Sequence, residues 1–140
     1  RKFKNRSPLF YNLRDSFQDK SPSVEDVITI HSVESSHIIK AKYILAPTES
    51  GNTARRISRF KPYCWILAFT GNIEVAHFLA FSYGVIPFKI SNYGSDWYEI
   101  IMNFLREKKL VKKDDLLVLT EGMVRKKTGG TDTLRIISVD

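Results

Sequence analysis

The chain is poor in the residues that staple or sequester a small protein. Cys64 is its one cysteine among 140 residues, so no internal disulfide can form. The three histidines, at 31, 37 and 77, make no Cys/His cluster for a metal. Such sparing use of cysteine points to a reducing compartment. No apolar run approaches the length needed to span a bilayer, and Arg1-Lys2-Phe3-Lys4-Asn5-Arg6 is basic without the apolar core of a signal peptide. An initiator methionine is missing, which points to a fragment or a processed product. Acids are the minority charge, 15 against 22 Lys and Arg, for a net +7. That surplus is spread over 1–6, 55–61, 108–113 and 125–127. No glycine-aromatic RNA-binding strand and no zinc-finger spacing accompanies it, so it reads as a solvated basic surface and not as a nucleic-acid interface.

What is present suits a globular domain. Hydrophobic residues make up 43% and charged residues 26%, and the length suffices for one real core. Residues 1–20 read as an arm or partial helix whose aromatics need a surface, and 21–140 as the domain itself. Ser21-Pro22-Ser23 with Glu25-Asp26 is a helix start, and the apolar spacing carries that helix to about Lys40. Strands are then expected at 43–47, 64–69, 85–90, 116–120 and 133–139, and helices at 53–60, 72–83 and 97–110. The run Cys64-Trp65-Ile66-Leu67-Ala68-Phe69 reads as a buried strand with Cys64 as a small hydrophobe. Short apolar strands alternating with helices indicate a parallel sheet covered on both faces. About nine residues separate the last two strands, too few for a parallel crossover, so the final strand is expected antiparallel at an edge. The fold class is a three-layer α/β/α sandwich with a five-stranded, mixed, mostly parallel sheet.

The most informative stretch is Thr48-Glu49-Ser50-Gly51-Asn52-Thr53, between a strand and a helix. Gly51 permits a tight turn, Thr48, Ser50 and Thr53 supply hydroxyls, and the helix start supplies N–H groups at a positive dipole end. Together they form a phosphate-sized cradle, although such residues also serve simply as caps. Ligands of parallel sheets bind at the carboxyl ends of strands. The loops at 48–53 and 122–131 both leave such ends, so they are expected to face one another. The second loop carries Arg125, Lys126, Lys127, Gly129 and Gly130.

At this point the residues resemble the C-terminal domain of pyruvate kinases. The loop and helix 48–62 resemble the family's T-x-S-G-x-[ST]-A pattern with a following basic residue and K-P. Ile66-Leu67-Ala68-Phe69-Thr70, Tyr83-Gly84-Val85-Ile86-Pro87, Leu110 to Leu116 and Gly129-Gly130-Thr131-Asp132-Thr133-Leu134-Arg135-Ile136 resemble later elements, in order and spacing over about residues 9–139. The resemblance implies a domain that follows a catalytic barrel, absent here, on the same polypeptide. Magnesium and potassium belong to that barrel, and no cofactor is implied for this part. It implies a catalytically silent piece that helps build a homo-tetramer in the full-length protein and binds a phosphorylated effector. The effector would lie on Thr48, Ser50, Gly51, Asn52 and Thr53, with Arg125, Lys126, Lys127, Gly129 and Gly130 as a second contact. A place in glycolysis implies the cytoplasm, although an organelle-targeted parent also fits a basic chain.

Some positions depart from the family. Glu49 stands beside the expected phosphate and would repel it. Trp97 falls where the animal enzymes place an arginine, Met123 where an aromatic often sits, and Asp132 replaces an asparagine. These departures count against fructose 1,6-bisphosphate and leave a simpler phosphate or sulfate at the 48–53 loop. Other tempting groups have plainer readings. His31 and His37 fall on different helical faces as surface or interface residues, His77 is packed or half-exposed, and Asp114-Asp115 forms a turn. Tyr93, Trp97 and Tyr98 serve packing. Two of Arg55, Arg56 and Arg59 face solvent or a neighbour. Two further functional readings remain open: a stand-alone sensor of phosphorylated metabolites, and an assembly domain with a vestigial pocket. The coding sequence upstream of Arg1 separates the first of these from a fragment of a longer enzyme.

Overall fold

A computed structural model describes residues 21–91, 97–122 and 130–140. The expected arm at 1–20, the turn around Tyr93, and Met123, Arg125, Lys126, Lys127 and Gly129 lie outside the described residues. The elements run α1 (Val24–Ile38), β1 (Tyr43–Pro47), α2 (Asn52–Arg59), β2 (Trp65–Thr70), α3 (Ile73–Leu79), β3 (Val85–Lys89), α4 (Trp97–Glu107), β4 (Leu116–Glu121) and β5 (Thr133–Ser138). The sheet order is β3-β2-β1-β4-β5. The first four strands are mutually parallel, and β5 pairs antiparallel with β4 at the edge, Leu117 opposite Ile137 and Thr120 opposite Leu134.

Alternation along the strands builds two cores. Ile44, Ala46, Ile66, Ala68 and Val118 point to one face, where Val33 of α1, Ile57 of α2 and Leu79 of α3 cover them. Leu45, Leu67, Phe69, Leu117 and Leu119 point to the other, beneath Trp97, Ile101, Met102 and Leu105 of α4. Phe69, Phe88 and Phe104 knit that second core, with Phe88 and Phe104 centroids 4.9 Å apart. Trp97 is buried and edge-on to Tyr98, which makes both packing residues.

This topology positions the site. The chain steps from β1 through β2 to β3 in one direction, then crosses the opposite face in α4 and returns as β4 on the far side of β1. The reversal lies between β1 and β4. In such sheets a crevice opens there, at the carboxyl ends of the strands.

Some boundaries differ from the sequence reading. The strand expected at 64–69 is shifted by one residue: Cys64 precedes it half-buried, and Trp65 opens it 55% exposed. Burial of the Cys64 thiol raises its pKa, against opposing hydrogen bonds led by Ser36. The helix expected to reach 83 ends at Leu79, because residues 80–84 turn into β3 with Gly84 at φ 67°. Three helices end with a lysine in the left-handed region, Lys40, Lys61 and Lys109, a place where glycine is usual. After α1, the Ala41 N–H donates to Ser36 O, and after α4 the Leu110 N–H donates to Leu105 O, which closes both helices within a turn of their last residues. His77 is exposed and not packed.

Candidate functional site at the ends of β1 and β4

The chain leaves β1 through Thr48, whose N–H donates to Phe69 O of the neighbouring strand. The buried Thr48 hydroxyl accepts the Gly51 N–H at 2.9 Å and closes the loop. Gly51 sits at φ 86°, and a Cβ there would lie 3.2 Å from Leu79 Cδ2 and 3.3 Å from Val75 Cγ1. Glycine is therefore required twice, for the left-handed backbone and for the close approach to α3. Ser50 is exposed and its Oγ accepts the Asn52 N–H at 3.3 Å, which leaves its own proton free to donate outward.

The start of α2 is open. Gly51 is its N-cap and offers no side chain, so the first-turn N–H groups receive no side-chain cap from it, and no acid occupies that turn. The positive end of the helix dipole thus has no counter-charge from its own first turn. Glu49 is exposed, next to Ser50 in the loop.

The second loop meets the first. Thr53 Oγ1 and Thr131 Oγ1 share a buried hydrogen bond of 2.8 Å across 78 positions of sequence. Gly130 is partly buried beside it, and the Asp132 N–H donates to Glu121 O, which starts the β4–β5 pairing. Asp132 Oδ1 accepts the Thr133 hydroxyl, so its carboxylate is engaged locally. Of the expected residues, Thr48 is bonded to Gly51 and Ser50 to Asn52 within the first loop, and Thr53 reaches Thr131, the neighbour of Gly130, in the second. Thr131, which the sequence reading did not single out, is the residue that joins the two loops.

The arginines of α2 divide. Arg56 binds Asp26 through Nη1 and lies 3.7 Å from Glu25 Oε1 through Nε, a clamp between α2 and the start of α1. Glu25 is buried, and Arg56 supplies the charge that burial demands. Arg55 and Arg59 are exposed. The histidines gather no chemistry: His31 is exposed near Glu34, and His37 stacks on Tyr63 with centroids 4.7 Å apart. Asp115 accepts the Lys112 N–H at 2.8 Å and pairs with Lys42 at 3.2 Å, closing the turn before β4. Those contacts, the backbone hydrogen bond foremost, hold its pKa below the ordinary aspartate value. Among the described residues no three His, Cys, Asp or Glu side chains converge as metal ligands, and no helix is long and apolar enough to cross a membrane. Hydroxyls, amide N–H groups and a dipole end suit the binding of an oxyanion.

Comparisons with known proteins agree in direction. A family model described as "Pyruvate kinase, alpha/beta domain" matches residues 26–137. The pyruvate kinase of Thermococcus litoralis is 41% identical over 96% of this chain, which covers 28% of that relative. The pyruvate kinase of Lactococcus lactis is 36% identical over 86% of the chain and is covered over 24% of its own length. A crystal structure of a pyruvate kinase from Cryptosporidium parvum superposes with a TM-score of 0.78 at 28% identity, across 94% of this chain and 26% of that one. The chain thus spans about a quarter of the length of the relatives it matches. With its sheet order and these matches in hand, the chain belongs to the pyruvate kinase family and corresponds to that family's C-terminal α/β domain.

Proposed function

We propose that this chain is the regulatory and assembly part of a longer pyruvate kinase polypeptide, and that it binds a phosphorylated effector in the crevice while performing no phosphoryl transfer itself. The observation that carries this reading is the junction of two loops at the start of α2: Thr53 to Thr131, beside a helix N-terminus whose N-cap glycine gives no side-chain cap and whose first turn holds no acid. An effector phosphate accepts hydrogen bonds from the α2 N–H groups and the Ser50 hydroxyl, with the Gly51 turn holding the donors at the right height. Arg125, Lys126 and Lys127 supply further charge from the second loop. The ligand bridges α2 to the segment that leads into β5. It acts by linkage: in a homo-tetramer whose quaternary states differ at this junction, the state that binds the effector better gains population. Magnesium, potassium and the chemistry of the phosphoryl group belong to the remainder of the polypeptide, in a cytoplasmic enzyme of glycolysis.

The test is thermal stability against fructose 1,6-bisphosphate, glucose 6-phosphate, ribose 5-phosphate, AMP and inorganic phosphate. A ligand at about a hundred times its Kd adds roughly 2.7 kcal/mol, which moves Tm by several degrees at this size. Replacing Ser50 and Thr53 by Ala together is expected to abolish the shift. An unchanged affinity in that variant would remove the crevice as the site. One observation favours a second reading, an assembly domain with a vestigial pocket. The Thr48 and Ser50 hydroxyls already accept the Gly51 and Asn52 N–H groups, and an exposed acid, Glu49, lies between them in sequence. That reading expects no shift with any ligand of the panel, in the isolated chain or the full-length enzyme.

A further inference from the structure

A second basic feature lies on the other side of α2 and is not used by the crevice. Asn52, Arg55, Arg56 and Arg59 follow one another at i, i+3, i+4 and i+7, so they form one outer stripe, while Thr53, Ala54, Ile57 and Ser58 turn inward and are buried. The stripe floors a groove of about 620 Å³. One wall is the turn at Ser82 and Tyr83, and the other is Asp26 at the start of α1. The groove is braced. Ser58 Oγ donates to Tyr83 O at 2.6 Å, which ties the wall to the floor, and Arg56 ties the other wall through Asp26.

Among the described residues the charges in this groove do not balance. Arg56 is occupied by Asp26 and Glu25. Arg55, Arg59 and Lys61 have no acid within ion-pair distance among the described residues. Two of these three cations are held in place by aromatic rings, Arg55 over Phe78 at 5.0 Å and Lys61 over Tyr83 at 5.3 Å. Cations at the end of a helix favour its dipole, which accounts for Arg59 and Lys61 but not for Arg55 near its start. Nor does the dipole account for a walled concavity of the size that takes small ligands. Three cations converging on one hollow repel each other, and an anion with two or more charges relieves that repulsion.

We propose that the outer face of α2 is a second anion site, for a small molecule carrying a diphosphate or two phosphates, held by Arg55, Arg59 and Lys61. The Ser82 hydroxyl offers a neutral hydrogen bond beside them. None of these three cations is among the residues assigned to the effector phosphate, and Asn52 alone borders both places.

The test uses inorganic pyrophosphate as probe at low ionic strength, followed by amide chemical shifts and calorimetry on the whole chain. Pyrophosphate is expected to move the Arg59, Ser82 and Tyr83 amides. The double variant Arg55→Gln, Arg59→Gln keeps good helix formers at both positions. It is expected to weaken that event at least tenfold and leave Gly51 and Thr53 responding as before. A charge-matched control, Lys108→Gln with Lys113→Gln, is expected to leave the groove affinity within twofold. Silent Ser82 and Tyr83 amides, or equal weakening in the control, would overturn the proposal; the latter would mean that only net charge is at work. Movement at Ser82 and Tyr83 with Gly51 and Thr53 unmoved would sustain the groove and count against the crevice.

Discussion

The starts of α1 and α2 solve the same problem in opposite ways. Every helix start leaves unpaired N–H groups. At α1, Ser23 Oγ accepts the Asp26 N–H and Asp26 Oδ2 accepts the Ser23 N–H, each at 3.1 Å, with Glu25 and Asp26 as acids in the first turn. That box satisfies the donors and the dipole from local sequence alone. At α2 a glycine stands in the cap position, no acid follows, and the nearest hydroxyls reach only the Gly51 and Asn52 N–H groups. α3 behaves like α1, with Asn72 accepting from Glu74 and Val75. A start closed by its own side chains contributes stability, whereas one without an acid or an N-cap side chain keeps more of its donors unpaired by its own sequence.

The largest effect is expected from Gly51→Ala. A residue with a Cβ meets the left-handed penalty of about 1–2 kcal/mol, and the 3.2 Å approach to Leu79 adds crowding. A loss of about 2 kcal/mol, read as a Tm drop of several degrees, follows. An unchanged Tm would mean that the loop relaxes freely and that the open start is not held in shape. Next comes Ser23→Ala, which removes the α1 cap and is expected to lower stability by about 1 kcal/mol in urea titration, with no change in phosphate binding. A change in phosphate binding there would break the contrast between the two starts.

A smaller, conditional effect belongs to Asp115, which like Asp26 spends a carboxylate on a backbone N–H. Its folded pKa is depressed below 3.8, chiefly by the Lys112 N–H. The unfolded state therefore binds the proton more readily. The contribution is fully present above the unfolded value and fades as pH falls below it, through the folded value. Asp115→Asn is expected to flatten the dependence of stability on pH in that acid window and leave its shape near neutrality unchanged. Equal acid sensitivity in the two proteins would remove the assignment.

Most of the fold was legible because each signal was local. Apolar runs bounded by turn residues located β1 without error and the other strands to within a residue, and the short β4–β5 connection dictated antiparallel pairing. Helix ends were less legible. Lys40 and Lys109 end α1 and α4 in a conformation where sequence reading looks for glycine, so both helices were drawn too long. At the site, Gly51 and the hydroxyls could be read, since strand, turn and helix follow in sequence. Thr131 could not, because its bond to Thr53 joins residues 78 apart. Arg56 and the groove on the outer face of α2 were equally hidden. They need α1, α2 and the turn before β3 in place before any charge can be called paired or unpaired.

The finest probe of the contrast is Glu49. It is exposed beside Ser50, with no ion pair among the described residues, so Glu49→Gln should leave stability within about 0.5 kcal/mol. If the open start of α2 receives phosphate, removing a nearby negative charge relieves a repulsion of about 0.5–1 kcal/mol at the dielectric of water, a several-fold gain in affinity for inorganic phosphate. Screening makes the prediction sharper: the gain should shrink as ionic strength rises and the Debye length falls below the separation of the charges. If Glu49→Gln changes neither stability nor phosphate affinity at any salt concentration, Glu49 does not oppose a bound phosphate. The open start would then be an uncapped helix end and nothing more. A salt-sensitive gain confined to phosphate would place the anion at the α2 N-terminus without any other residue being altered.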